Sequence, residues 1–206
     1  MASTQTRWSQ AEAADPADFR GRLLAALASS ITEVGYRDTT VADIVRRAKT
    51  SRRTFYAHFA SREECLIALI HDFNTRMIAR IAAAVDGAAP WETQVRQAIH
   101  AWIAYSEEER ALTLCWIRET AALGDSVRHL KRDTTESFAA MIQTLCDTAE
   151  WRAVSGGKTV SRQMAIILVG GLTELTATTV ESGRPLTDIA EAAAQAAIVL
   201  LRTLPD

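Results

Sequence analysis

Apolar residues recur at three- and four-residue steps from Phe19 onward. Phe19, Leu23, Leu24, Leu27, Ile31 and Val34 mark one face of a helix. Gly35 is placed to end it in a left-handed cap, with Tyr36 folding back on the last turn. Thr40, with Asp43 three residues on, opens a second helix in a pattern close to a capping box; Val41, Ile44, Val45 and Ala48 form its apolar face. Lys49 and Thr50 make a short turn. Ser51 then caps a third helix, whose Phe55 and Phe59 point inward together. Ser61 with Glu64 is a full capping-box pattern for a long fourth helix. Its stripe is Leu66, Leu69, Ile70, Phe73, Met77 and Ile81, running towards Asp86.

Gly87 to Pro90 breaks the pattern. Beyond it the periodicity predicts a helix from Trp91 to about Ser106 and another from about Glu107 to Leu123, ended by Gly124. A longer one, with room for a kink, runs from Asp125 to about Val154. Ser155–Gly157 reads as a loop, and a helix follows from Thr159 to about Ser182. Gly183, Arg184 and Pro185 stop it, and Thr187 is placed to cap a last helix ending near Leu204. No segment alternates as a strand does, and no solenoid repeat occurs. The expected fold class is all-α.

Composition agrees. The chain has 206 residues, enough to bury a good core. Its 48% hydrophobic and 23% charged residues exclude a disordered chain, and abundant alanine with only 4 prolines favours helix. The first 20 residues contain no apolar export segment. The longest apolar run, Met164–Leu172, is well short of the roughly 18 residues that span a bilayer. A cytoplasmic protein is therefore expected. The three cysteines, Cys65, Cys115 and Cys146, include no CxxC pair, so no metal site is expected, and free thiols suit a reducing compartment. Cys65 lies in the first turns of the fourth helix, where a thiol pKa can fall; an oxidant-sensing role stands there beside simple packing.

The net charge of −2 does not advertise nucleic acid, but its distribution does. Between Tyr36 and Arg62 there are seven cations (Arg37, Arg46, Arg47, Lys49, Arg52, Arg53, Arg62) against two anions (Asp38, Asp43), a surplus of five. Phosphate binding is largely electrostatic, so such a patch on two short helices joined by a tight turn is a candidate DNA-docking face. Thr40 and Ser51 sit at helix N-termini, where backbone N–H groups attract phosphate. Arg52 and Arg53 begin the helix that enters the major groove in helix-turn-helix proteins, where an arginine can grip guanine O6 and N7. Thr54 can touch a thymine methyl or a phosphate. Tyr56, His58 and Arg62 can donate to phosphates. The bland alternative is a solvated basic face; the coincidence of charge, turn, caps and polar aromatics argues against it.

These residues resemble the TetR family of bacterial transcriptional regulators. The resemblance lies in Thr40-Val41, Asp43-Ile44, Ala48, Ser51, Thr54-Phe55-Tyr56, His58-Phe59 and Ser61-Arg62-Glu63-Glu64, about 45 residues in all. The chain departs from the pattern at Lys49, where members usually have Gly, at Thr50, where an apolar residue is usual, and at Arg62, which replaces a common Lys. A non-glycine residue in a left-handed conformation costs roughly 1–2 kcal/mol. Residues 1–17, polar and alanine-rich with Pro16, read as a flexible tail. The resemblance implies a DNA-binding domain over 18–62 that uses Lys49 with the residues above, and a ligand-binding and dimerisation domain over 63–206. It further implies a homodimer on a pseudo-palindromic stretch of double-stranded DNA, most members being repressors released by a small molecule.

In the second half, Met164–Leu172 and Ala190–Leu201 are apolar nearly all round, as helices buried on every side are. They are the expected dimer surface, through Ile166, Val169, Gly170, Leu172, Ala193, Ala197 and Leu200. Trp102, Tyr105, Trp116, Phe138 and Met141 are candidates for the wall of a cavity taking an apolar or aromatic effector. No Glu-x-x-His pair, HExxH, phosphate loop or nucleophile elbow is present, so neither an enzyme nor a cofactor is expected. The competing reading is a helical ligand-binding or scaffold protein that does not bind DNA.

Overall fold

The computed structural model describes residues 18–119 and 125–202, and every regular element among them is helical. They fall into two compact units. One comprises the chain up to Phe73 together with Glu109–Val127; the other comprises Asn74–Glu108 and the chain from Arg128 on.

In the first unit, α1 (Phe19–Asp38) starts at Asp18, whose carboxylate accepts from the Gly21 amide at 2.8 Å. Leu23, Leu24, Leu27 and Ile31 are buried, but Val34 is 50% exposed. The apolar face ends a turn earlier than its spacing suggests, because the backbone leaves helical geometry at Gly35 (φ 81°, ψ 165°). Tyr36 is thereby turned into the core. Thr39 holds the bend, its hydroxyl 2.8 Å from the Gly35 carbonyl and 2.9 Å from Ser30 Oγ. Then come α2 (Val41–Arg47), α3 (Arg52–His58) and α4 (Arg62–Ala84). Ser61 Oγ accepts from the Glu64 amide at 3.1 Å, while the Glu64 carboxylate reaches back to the Ala60 amide rather than to Ser61. The stripe of α4 from Leu66 to Ile81 is almost wholly excluded from water. The helix expected after Glu107 appears as α6 (Arg110–Glu119), which packs on α1; Arg37 Nε meets Glu119 at 3.1 Å. Leu123 and Gly124 lie outside the described residues.

The second unit contains α5 (Trp91–Glu108), α7 (Asp125–Leu145) from Arg128 on, α8 (Ala149–Val154), α9 (Arg162–Glu181) and α10 (Ala190–Arg202). The single helix expected from Asp125 to Val154 is two. Thr148 restarts the chain as an N-cap, its hydroxyl accepting from the Trp151 amide at 3.1 Å. The break swings Trp151 inward, edge-on to Trp91 with centroids 5.3 Å apart, and its indole N–H bonds the Lys158 carbonyl at 3.0 Å. Gly156 and Gly157, both at positive φ, follow as the expected loop. Thr187 is not the last cap: it lies inside a 3-10 turn, Leu186–Ile189, entered from Pro185, and the Leu186 amide donates to Glu107 Oε2 at 3.0 Å.

By length and composition α9 would pass as a membrane-crossing helix, more than its nine-residue apolar core suggested. Its buried side is nevertheless polar in places. Thr176 Oγ1 accepts from Trp102 Nε1 at 3.3 Å, and Thr179 donates to the Leu175 carbonyl at 2.8 Å. Such contacts suit a helix packed within a folded unit. α10 lies mainly against α5, tied at its two ends by Arg96–Glu191 and Arg202–Glu92 ion pairs.

Candidate nucleic-acid interface

Short-range hydrogen bonds build the two-helix motif. Thr40 Oγ1 donates to Asp43 Oδ2 at 2.6 Å, the Thr40 amide donates to the same oxygen, and the Asp43 amide returns to Thr40 Oγ1. Chiefly through the Thr40 hydroxyl, and then Arg46, the Asp43 carboxyl is held down at about 2. α2 ends in a Schellman motif. The Thr50 amide reaches the Val45 carbonyl at 2.9 Å and the Lys49 amide reaches that of Arg46 at 3.3 Å. Lys49 carries the left-handed residue of this motif, at φ 50°. Ser51 then caps α3, accepting from the Thr54 amide at 3.1 Å and bonding the Thr54 hydroxyl at 3.0 Å. Phe55 and Phe59 are buried beneath α3.

This geometry sorts the basic residues. Arg37 pairs with Glu119, Arg46 with Asp43 and Arg47 with Glu33. The hydrogen bond between Arg47 and Glu33 lowers the carboxyl and raises the guanidinium. Arg62 turns inward: its guanidinium lies 4.4 Å from the centre of the Tyr36 ring and donates to the Thr39 carbonyl, clamping the end of α1 to the start of α4. Burial pushes the Tyr36 phenol up to about 12. Lys49, Arg52 and Arg53 remain. All three are exposed and have no ion-pair partner among the described residues. Around them Ser51, Tyr56 and His58 are also exposed, and Thr54 is half-buried. Tyr56 stands edge-on to Phe55, and His58 stacks loosely on Phe19. Thr40 is exposed, with its hydroxyl already engaged by Asp43.

The second unit holds a cavity of about 280 Å³. Trp102, Phe138 and Met141 line it, as do Trp91 and Trp151, which the spacing did not single out. Tyr105 is not among the lining residues; it is buried, with the Arg80 guanidinium 5.3 Å from its ring. Trp116 belongs to α6 in the other unit. Val169, Leu172, Ala193, Ala197 and Leu200 also line the cavity, and Ala193 and Ala197 are buried. Ile166 is half-buried and Gly170 exposed. The exposed large apolar side chains on α9 and α10 are Ile167, which also borders the cavity, and Val199.

Residues 23–69 match the model of the family described as bacterial regulatory proteins, tetR family. They run from the first buried leucine of α1 into the first third of α4. Over these residues the chain is similar to the helix-turn-helix domain of that family. A 60-residue stretch is 38% identical to the uncharacterized HTH-type transcriptional regulator YdgC of Bacillus subtilis (strain 168), covering 29% of this chain and 31% of that protein. Among solved structures, the fatty acid degradation regulator FadR of Bacillus halodurans superposes with a TM-score of 0.75 at 17% identity, over 92% of this chain and 98% of that one. FadR of Bacillus subtilis, in complex with stearoyl-CoA, gives 0.70 at 17% identity, over 89% and 98%. A TetR-family regulator from Syntrophomonas wolfei gives 0.74 at 15%, over 91% and 96%. The fold is therefore all-α, a helix-turn-helix domain followed by helices.

Lys49 adopts the left-handed geometry that suits the glycine usual at that position in the resembled family, so the Schellman turn forms with the strain carried at one residue. Sequence spacing missed the neutralisation of Arg47 by Glu33, which sits on another helix. A clue to the inward role of Arg62 was available in the aromatic residue Tyr36, expected to fold back at the end of α1.

Proposed function

We propose that this chain is a sequence-specific DNA-binding transcriptional regulator, a repressor acting as a homodimer on a pseudo-palindromic site and released when a small molecule enters the second unit. One observation carries the DNA reading: the only cations of the motif left without a protein partner among the described residues, Lys49, Arg52 and Arg53, are those at the turn and the start of α3. That helix end enters the major groove in helix-turn-helix proteins. Thr40, Ser51, Thr54, Tyr56 and His58 surround it as phosphate or methyl contacts. Arg62 is assigned a positioning role in place of a phosphate contact.

The domains follow the resemblance, with DNA binding in 18–62 and regulation in the remainder. Self-association uses the outward sides of α9 and α10, around Gly170 and Val199, while Ile167 borders the cavity and Ala193 and Ala197 serve the interior. FadR of Bacillus subtilis holds stearoyl-CoA, so a protein of this fold does take a small molecule. A cytoplasmic location fits a DNA-bound regulator.

Fluorescence anisotropy with labelled duplexes tests the reading. Wild-type affinity should fall with salt, and Lys49→Ala should flatten that dependence by about one phosphate contact. Arg52→Ala/Arg53→Ala should bind all sequences alike. Unchanged sequence preference in the double variant overturns the assignment.

A further inference from the structure

We propose that the cavity of the second unit takes a neutral, purely hydrophobic molecule about the size of two fused rings, and rejects carboxylates and coenzyme A thioesters. This rests on the effector reading above and names the class of effector. Among the described residues, no Asp, Glu, Lys, Arg or His lines the cavity. Its polar groups are neutral and mostly engaged. The Gln94 amide nitrogen donates to the Ala89 carbonyl at 2.7 Å and the Gly87 carbonyl at 3.3 Å. Thr148 is committed as a cap, and the indole N–H groups of Trp102 and Trp151 are bonded to Thr176 and Lys158. A charged group entering here would lose its water and gain no counter-charge, a penalty that buried ions escape only by pairing.

The walls select for flat apolar surface. Three indoles face the space, with Phe138 tilted against Trp102 at 5.0 Å between centroids. Aromatic rings prefer such offset and edge-on neighbours. Size sets the rest: about 280 Å³ is close to twice the roughly 150 Å³ of a dry protein cavity that takes up benzene. Of the lining residues, only Ile167, Gly171 and Ala196 are exposed, so the opening lies between α9 and α10. A Cβ added at Gly171 meets nothing within 4 Å, which leaves room for a larger side chain to plug that opening.

Equilibrium dialysis of the full chain at neutral pH, without DNA, tests this with naphthalene and 2-naphthoate, which share a ring system and differ in charge. Naphthalene should bind at one site per chain, at least tenfold tighter than 2-naphthoate. Gly171→Leu and, independently, Ala98→Phe should each weaken naphthalene at least tenfold. The proposal is overturned if 2-naphthoate or stearoyl-CoA binds as tightly as naphthalene, if naphthalene does not bind, or if neither variant changes its binding. DNA affinity of the same preparation, read by anisotropy, separates the two readings. Loss of DNA binding with intact naphthalene uptake removes the regulator reading alone; failed uptake with intact DNA binding removes the ligand class alone.

Discussion

Lys49 pays a conformational penalty where a glycine would not. At φ 50° its Cβ crowds the following carbonyl, at a cost of roughly 1–2 kcal/mol, partly offset by the greater chain entropy a glycine loses on folding. Lys49→Gly should therefore raise stability by about 1 kcal/mol in urea unfolding, yet weaken DNA binding, because a cation is lost. A gain in both would mean the amine does not meet phosphate. Arg52→Ala or Arg53→Ala should cost about 1–3 kcal/mol of binding on the preferred site if that side chain reads guanine, with selectivity relaxed at one base pair. Asp43 sets an acid limb. Its folded carboxyl titrates at about 2 against an ordinary 3.8, so its contribution to stability is complete above about pH 4 and is lost as pH falls from there towards 2. Asp43→Asn should flatten stability over that interval. The thiols are pushed the other way by burial, to about 12 for Cys65 and Cys115 and about 11 for Cys146. Cys65 and Cys115, which are also buried, should resist thiol reagents at pH 7 until the chain unfolds, which argues against oxidant sensing at Cys65.

At the scale of elements, what could be read from the sequence was what neighbours in sequence decide. Thr40 with Asp43, Ser51 with Thr54 and the stripe of α4 are contacts over three or four residues, and the structure has each of them. The division of α7 from α8 was not legible, because Thr148 becomes a cap only once Trp151 has Trp91 to pack against, 60 residues earlier in the chain. The same holds for Arg47, neutralised from α1, and for Tyr105, whose place under Arg80 is set by helix packing rather than by spacing. Thr148→Ala should cost about 1 kcal/mol, as lost N-caps do, and disturb the cavity wall beside Trp151. Ser51→Ala should cost about the same and weaken DNA binding by loosening the start of α3. Thermal melts and anisotropy on the two variants separate these effects.

At the scale of the whole molecule, the chain resembles solved regulators over nine-tenths of its length, while sequence identity to them is 17% or less in the structures compared. The scaffold is shared with them at that low identity. One helix-turn-helix head makes few contacts, so tight specific binding calls for two, with half-sites about one helical turn, ~34–36 Å, apart. Val199→Asp places a charge on the outward apolar side of α10, away from the cavity lining; light scattering should find more monomer, and DNA affinity should drop with it. The most direct measurement is selection of bound sequences from a random DNA library by the purified full chain at low salt. The account predicts a two-fold symmetric consensus that Arg52→Ala/Arg53→Ala fails to enrich. No enrichment by the folded wild-type protein, or the same consensus from the double variant, would contradict it.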